Sequence, residues 1–165
     1  MKVVFLDLDG VINSQRSAIA FGGYPHLIDE HRGMFDEVAV KLISGIVKTA
    51  AAKVVLSSSW RHGDDWQTIG PALGVPIIDR TPSLLGARGG EIKHWLDRHA
   101  EVECYAIVDD DPDMLPEQMP FFVHTCGFDG FRWGDAEKLC GLLGIKIYDV
   151  NHPGQRVPTP SLAWE

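Results

Sequence analysis

The run VVFLDLDGVIN, residues 3 to 13, limits what this chain can fold into more than any other stretch. Residues 3–6 are apolar at consecutive positions, so a strand built from them is buried on both faces, the environment of a central strand in a parallel sheet. The apolar run then meets Asp7 and Asp9. Two positions apart on an extended backbone, their side chains point to the same side, and Gly10 lets the chain turn tightly after them. Like charges held this close need a cation, a proton or a set of donors to persist. Acids that only shape a turn usually stand among polar neighbours. These two end a buried strand, which marks its carboxyl end as a site of chemistry.

Further strand-like runs occur at 53–56, 75–78, 105–108, 121–124 and 146–148, several of them apolar on both faces. Helical periodicity lies between them. Residues 35–51 carry Val38, Leu42, Ile46 and Val47; residues 91–99 carry Ile92, Trp95 and Leu96; residues 135–143 carry Leu139, Leu142 and Leu143; residues 64–73 show a weaker pattern. The alternation predicts an α/β fold, a doubly wound, mostly parallel Rossmann-like sheet with its crevice beyond the carboxyl ends of the strands.

A chain of 165 residues fits one domain, expected over residues 1–150. Residues 13–33, NSQRSAIAFGGYPHLIDEHRG, break the alternation with small, polar and glycine-rich sequence. They are too few for a cap domain and read as a short flap over the end of the first strand. Residues 151–165 are proline-rich and aperiodic. They read as an extended tail whose Leu162 and Trp164 offer a docking surface.

A net charge of −8 gives no broad basic field for a nucleic-acid backbone, so an anionic substrate needs a metal or a few placed cations. The three cysteines, Cys104, Cys126 and Cys140, form no close pair. That favours reduced thiols in a cytoplasmic protein over a disulfide frame or a zinc site. Asp7 cuts the first apolar run too early for a signal peptide, and no segment reaches membrane-spanning length, so no membrane partner is expected. Nothing in the sequence indicates an oligomeric state.

Two more strand ends carry polar clusters. Asp109, Asp110 and Asp111 follow residues 105–108. Two acidic strand ends on one sheet edge point to a hard divalent cation, and Mg²⁺ suits a few carboxylates with water and phosphate. Asp110 or Asp111 also stands where it would cap a helix starting near Pro112. Residues 53–56 run into Ser57, Ser58 and Ser59, then Trp60 and Arg61. Hydroxyls and free N–H groups at such a turn either hold phosphate oxygens or cap the next helix. In LLGARGGEIKHWL, Arg88 precedes an amphipathic helix and Lys93 lies one turn inside it. Either can bring a positive charge to the crevice or remain solvated.

Taken in order, FLDLDGVIN, VVLSSSWR, RGGEIKHWL and IVDDDPDM resemble the four motifs of the haloacid dehalogenase (HAD) superfamily of phosphohydrolases. Within it they look most like the small, capless HAD-type domains of Swiss-Army-knife RNA repair proteins, over Val3 to about Leu143. The resemblance implies a Mg²⁺-dependent phosphatase. Asp7 is the expected nucleophile, forming an aspartyl-phosphate, and Asp9 the expected acid for the leaving oxygen and base for the attacking water. Mg²⁺ would be held by Asp7, the Asp9 backbone carbonyl and the Asp109/Asp110 pair. Ser58 or Ser57, with Arg88 or Lys93, would bind the transferring phosphoryl oxygens; Ser58 and Arg88 match the family pattern better. With no room for a cap, the crevice would admit a nucleic-acid end or a phosphoprotein as well as small phosphate esters. Trp60 and Arg61 would stack on or pair with such a substrate, unless Trp60 belongs to the core.

Two other classes of protein share some of these features. A phospho-receiver module gathers acids around Mg²⁺ on a similar sheet, but its acid pair comes first and its phosphorylated Asp on the third strand. Here the DxD comes first and the DD late. A non-catalytic binding module on the same fold has no need of every catalytic carboxylate. Steady phosphate release from a generic ester separates the enzyme from both.

Overall fold

The computed structural model describes residues 1–63 and 66–150; the tail at 151–165, with Leu162 and Trp164, lies outside the described residues. Five strands, β1 (Lys2–Leu6), β2 (Lys53–Leu56), β3 (Ile77–Arg80), β4 (Cys104–Asp109) and β5 (Phe122–His124), form one sheet in the order β3-β2-β1-β4-β5. Every pairing is parallel. Among the described residues, α1 (Gln15–Phe21), α2 (Ile28–His31) and α3 (Glu37–Thr49) join β1 to β2. Helix α4 (Trp66–Leu73) joins β2 to β3, α5 (Arg88–Leu96) joins β3 to β4, and α6 (Trp133–Leu142) follows β5. This is a doubly wound, Rossmann-like α/β fold, and no cap domain is inserted among the described residues.

The position of β1 follows from its sequence. Val3, Val4, Phe5 and Leu6 are all buried because β1 has a strand on each side and helices on each face. Val4 and Leu6 join the core built with α3 and α6, whereas Val3 and Phe5 pack with Ile92 and Trp95 of α5. The Phe5 and Trp95 rings meet edge to face with centroids 5.4 Å apart, a favoured aromatic geometry. Asp36 caps α3, accepting the N–H groups of Val38 and Ala39.

Several elements differ from the sequence expectation. Strand β3 begins at Ile77, two residues later than expected, because Pro76 has no N–H to give the ladder and β2 shifts register between Val54 and Val55. Residues 146–148, expected as a strand, belong to a 3-10 turn at Ile147–Asp149. After α6 the chain reverses through Gly144 at φ +69°, and Ile145 and Ile147 pack back on the core without pairing to the sheet. The buried stripe of α3 is Ala39, Val40, Ile43, Ile46 and Val47, and Val38 in its first turn faces solvent. The 13–33 segment, expected as a short flap, is built around α1 and α2, and Ser14 and Ser17 form a reciprocal cap at the start of α1. No helix among the described residues is long and apolar enough to cross a membrane.

Candidate active site

In this strand order the winding reverses between β1 and β4, so their carboxyl ends flank a crevice. Asp7 follows β1 directly and Asp109 ends β4. The Asp7 N–H donates to the Val108 carbonyl at 3.0 Å, which carries the strand pairing up to the site. Asp7, Asp109 and Asp110 each present a carboxylate oxygen, and these oxygens lie within 4.8 Å of one another. Gly10 makes that cluster accessible to Asp110. Its φ is +73°, and a Cβ there would stand 2.1–2.6 Å from the Asp110 carboxylate, so no larger residue leaves room for it.

Arg88, the first residue of α5, reaches into the cluster. Its Nη1 donates to Asp7 Oδ1 at 2.7 Å and to the Ser57 carbonyl at 3.0 Å. It also lies 3.0 Å from Asp109 Oδ2, without the alignment of a hydrogen bond. Asp113 positions the arginine, its carboxylate accepting the Arg88 N–H at 2.8 Å and its carbonyl the Gly89 N–H at 3.2 Å. An acid at a helix N-terminus both satisfies free donors and complements the helix dipole.

One guanidinium does not neutralise three carboxylates, and the electrostatics reflect this. Burial pushes Asp7 up to about 6, with the Asp9 charge adding to it and Arg88 and Ser58 opposing. Asp109 is pushed up to about 7, first by burial and then by the Asp7 charge. Asp110 is also raised, chiefly by burial. Asp109 Oδ2 is fully enclosed and accepts no hydrogen bond. An all-oxygen donor set with an unsatisfied buried oxygen fits a hard divalent cation such as Mg²⁺.

A pH dependence of stability follows. Between about pH 4 and 7 the folded chain keeps protons on Asp7 and Asp109 that the unfolded chain has already released. Their contribution to stability is therefore full below about pH 4, falls as pH rises, and levels off above about pH 7. Thermal melts between pH 4.5 and 8 should show this fall, and Asp109→Asn should flatten it. Added Mg²⁺ should raise the midpoint more at pH 8 than at pH 5, because protons compete for the same oxygens. Equal slopes for the wild type and Asp109→Asn would refute the assignment.

Asp9 is held apart from the three-acid cluster. The Trp60 indole N–H donates to both of its carboxylate oxygens at 3.2 Å, and the Asn13 amide donates to Oδ1. Trp60 therefore positions Asp9, and its ring packs edge-on against Phe35 at 5.7 Å. Its N–H edge is taken up by Asp9 and is not available to donate to a substrate. The Ser58 hydroxyl lies against Asp7, whereas the Ser57 hydroxyl is buried without a hydrogen-bond partner.

Two sequence candidates stand away from the crevice. Arg61 is buried, its Nη2 paired with Glu91 at 2.6 Å and its Nη1 donating to the Ser57 and Ser58 carbonyls at 2.7 and 2.9 Å. It braces the serine turn from beneath and is not available to pair with a substrate. Lys93 is exposed and paired with Asp97. Five residues on from Arg88, it lies about 140° around the helix, pointing away from the acids. No helix starts near Pro112 either. Asp109 accepts the Asp111 N–H and Asp111 the Asp113 N–H, and these side-chain turns replace helical bonding.

Asn13, Glu91 and Asp113 were not singled out in the sequence, though each stands inside or beside a motif. Asn13 follows Asp9 by four residues, Glu91 follows Arg88 by three, and Asp113 closes the acidic run. No periodicity distinguishes them, because their partners come from other elements.

The fold is that of a HAD-like domain, a family whose members are generally phosphohydrolases. Residues 3–136 match the family model described as the HAD domain in Swiss Army Knife RNA repair proteins, and the chain belongs to that family. No curated protein and no solved structure matches the chain.

Proposed function

We propose that this chain is a Mg²⁺-dependent phosphatase acting through an aspartyl-phosphate on Asp7. The observation that carries the proposal is the grouping at one crevice of Asp7, two further acids and Arg88, with Asp9 two residues on and held separately. Asp7 attacks phosphorus as the bond to the leaving oxygen breaks, and the proton on Asp9 passes to that oxygen. Asp9 then takes a proton from water, whose oxygen attacks phosphorus and releases Asp7. Arg88 and Ser58 hold the phosphoryl oxygens. Mg²⁺, held by Asp7, Asp109 and Asp110, would offset the repulsion between nucleophile and phosphate when bound.

The substrate we propose is a phosphate on a nucleic-acid end or another large molecule, with small esters also accepted. The description of the family names RNA repair proteins, and no cap domain covers the crevice among the described residues. With a net charge of −8 the chain would hold a nucleic acid at its end and not along its length. We place this activity in the cytoplasm. A receiver-like module has no use for an acid held as Asp9 is.

A screen of phosphorylated metabolites, 3′- and 5′-phosphorylated oligonucleotides and phosphopeptides tests the function. Release should require Mg²⁺ and stop with a chelator. Asp9→Asn should slow turnover by about 10²–10⁴-fold. In single-turnover phosphorylation of the enzyme, an ester of a strongly acidic alcohol should lose less than one of a weakly acidic alcohol. Equal losses would remove Asp9 from the acid role.

A further inference from the structure

A groove of about 520 Å³ opens beside Asp9, within the size range of small-molecule sites. One wall is Tyr24, His26, Leu27 and Ile28 from the segment after β1, and the other includes Trp60 and Ile69. Tyr24 is 50% exposed and Leu27 47%, so both present apolar surface toward solvent. Asp9, Ser59, His26 and the Tyr24 hydroxyl contribute the polar groups, and no Lys or Arg is among the described lining residues.

The position of the groove limits what can occupy it. An acid that protonates a leaving oxygen must reach it, so the departing alcohol lies on the Asp9 side of Asp7. Arg88 engages Asp7 and the Ser57 carbonyl and marks the phosphoryl position. We propose that this groove receives the leaving alcohol, and that it selects an uncharged alcohol with a planar aromatic face, a nucleoside or an aryl alcohol. The inference rests on the phosphatase reading. A second anionic group in the groove would meet the Asp9 carboxylate with no Lys or Arg among the described lining residues to offset it. A planar ring instead finds Trp60 already fixed by its bonds to Asp9 and its contact with Phe35, a wall needing no ordering on binding.

The test compares 1-naphthyl phosphate, uridine 3′-monophosphate, glycerol 2-phosphate and fructose 1,6-bisphosphate with the wild type, Tyr24→Ala, Tyr24→Phe and Leu27→Ala. The wild type should prefer one or both aromatic esters by about tenfold in kcat/KM. Tyr24→Ala and Leu27→Ala should raise KM for them while leaving glycerol 2-phosphate unchanged, and Tyr24→Phe should behave as the wild type. Which aromatic ester leads distinguishes nucleoside from aryl alcohol. Preference for the bisphosphate, or equal effects on all four esters, overturns the inference. Calorimetric titration with uridine and 1-naphthol reads the groove without turnover. If no ester is hydrolysed but either alcohol binds and Tyr24→Ala abolishes it, the groove stands and the phosphatase reading falls. Hydrolysis with no such binding and no ester preference overturns the groove alone.

Discussion

Asp7→Asn is expected to lower hydrolysis of p-nitrophenyl phosphate with Mg²⁺ by at least about 10³-fold, some 4 kcal/mol of transition-state stabilisation. The amide keeps the shape of the carboxyl and an oxygen to accept Arg88, whose Nη1 lies 2.7 Å from Asp7 Oδ1, but it is a poor nucleophile. The same variant should be at least as stable as the wild type near pH 8 without added Mg²⁺. Burial pushes the Asp7 carboxyl up to about 6, so its ionised form costs stability there and the neutral amide does not. Thermal melts and steady-state rates on one preparation check both halves. Wild-type turnover by Asp7→Asn would end the aspartyl-phosphate mechanism. A large drop in melting temperature would show that the loss of activity came from unfolding.

Glu91→Ala should produce the largest loss of stability. Arg61 and Glu91 form a pair whose side chains are only 7% and 8% exposed, and Glu91 also accepts the Leu84 N–H at 2.9 Å. Removing the carboxylate leaves a buried guanidinium without its counter-charge, a change that costs about 3–5 kcal/mol. In a chain of this size that corresponds to a melting temperature lower by on the order of 10 °C. Replacing both partners, Arg61→Met with Glu91→Leu, should recover most of the stability, because no charge is then stranded. It should not recover activity, since the Ser57 and Ser58 carbonyls lose the donor that fixes the turn beside Asp7. An unchanged melting temperature for Glu91→Ala would show that Arg61 finds another partner.

The two variants probe different layers of the same site, and the layers differ in how far they can be read along the chain. Asp7 could be identified from its neighbours alone, because a doubly apolar strand does not end in paired acids without a use for them. The serine turn and Arg88 were legible as candidates through their spacing. The choice of Arg88 over Lys93 came from the family pattern and not from spacing, because it depends on where α5 begins. The helix starts at Arg88, its amide capped by Asp113 from a different loop, and that start turns Lys93 to solvent.

Local rules also misjudged parts of the fold, for reasons that lie outside each segment. Residues 146–148 have the alternation of a strand but pack back on the core in a 3-10 turn without pairing to the sheet. The helix within the 13–33 flap, capped by Ser14 and Ser17, gave no periodic signal of its own. Short segments carry weak preferences, and tertiary partners decide between them.

The central place of β1, the parallel sheet and the gathering of carboxylates at its carboxyl edge can all be read along the chain. These follow from periods of two and 3.6 residues and from where apolar runs stop, information carried within each segment. The fold alone brings Trp60 and Asn13 onto Asp9, sets Glu91 to hold the Arg61 that braces the serine turn, and lets Asp110 enter the cluster over Gly10. Each of these depends on side chains brought together from separate elements, and the distance between two such groups is set by packing, which no single segment encodes.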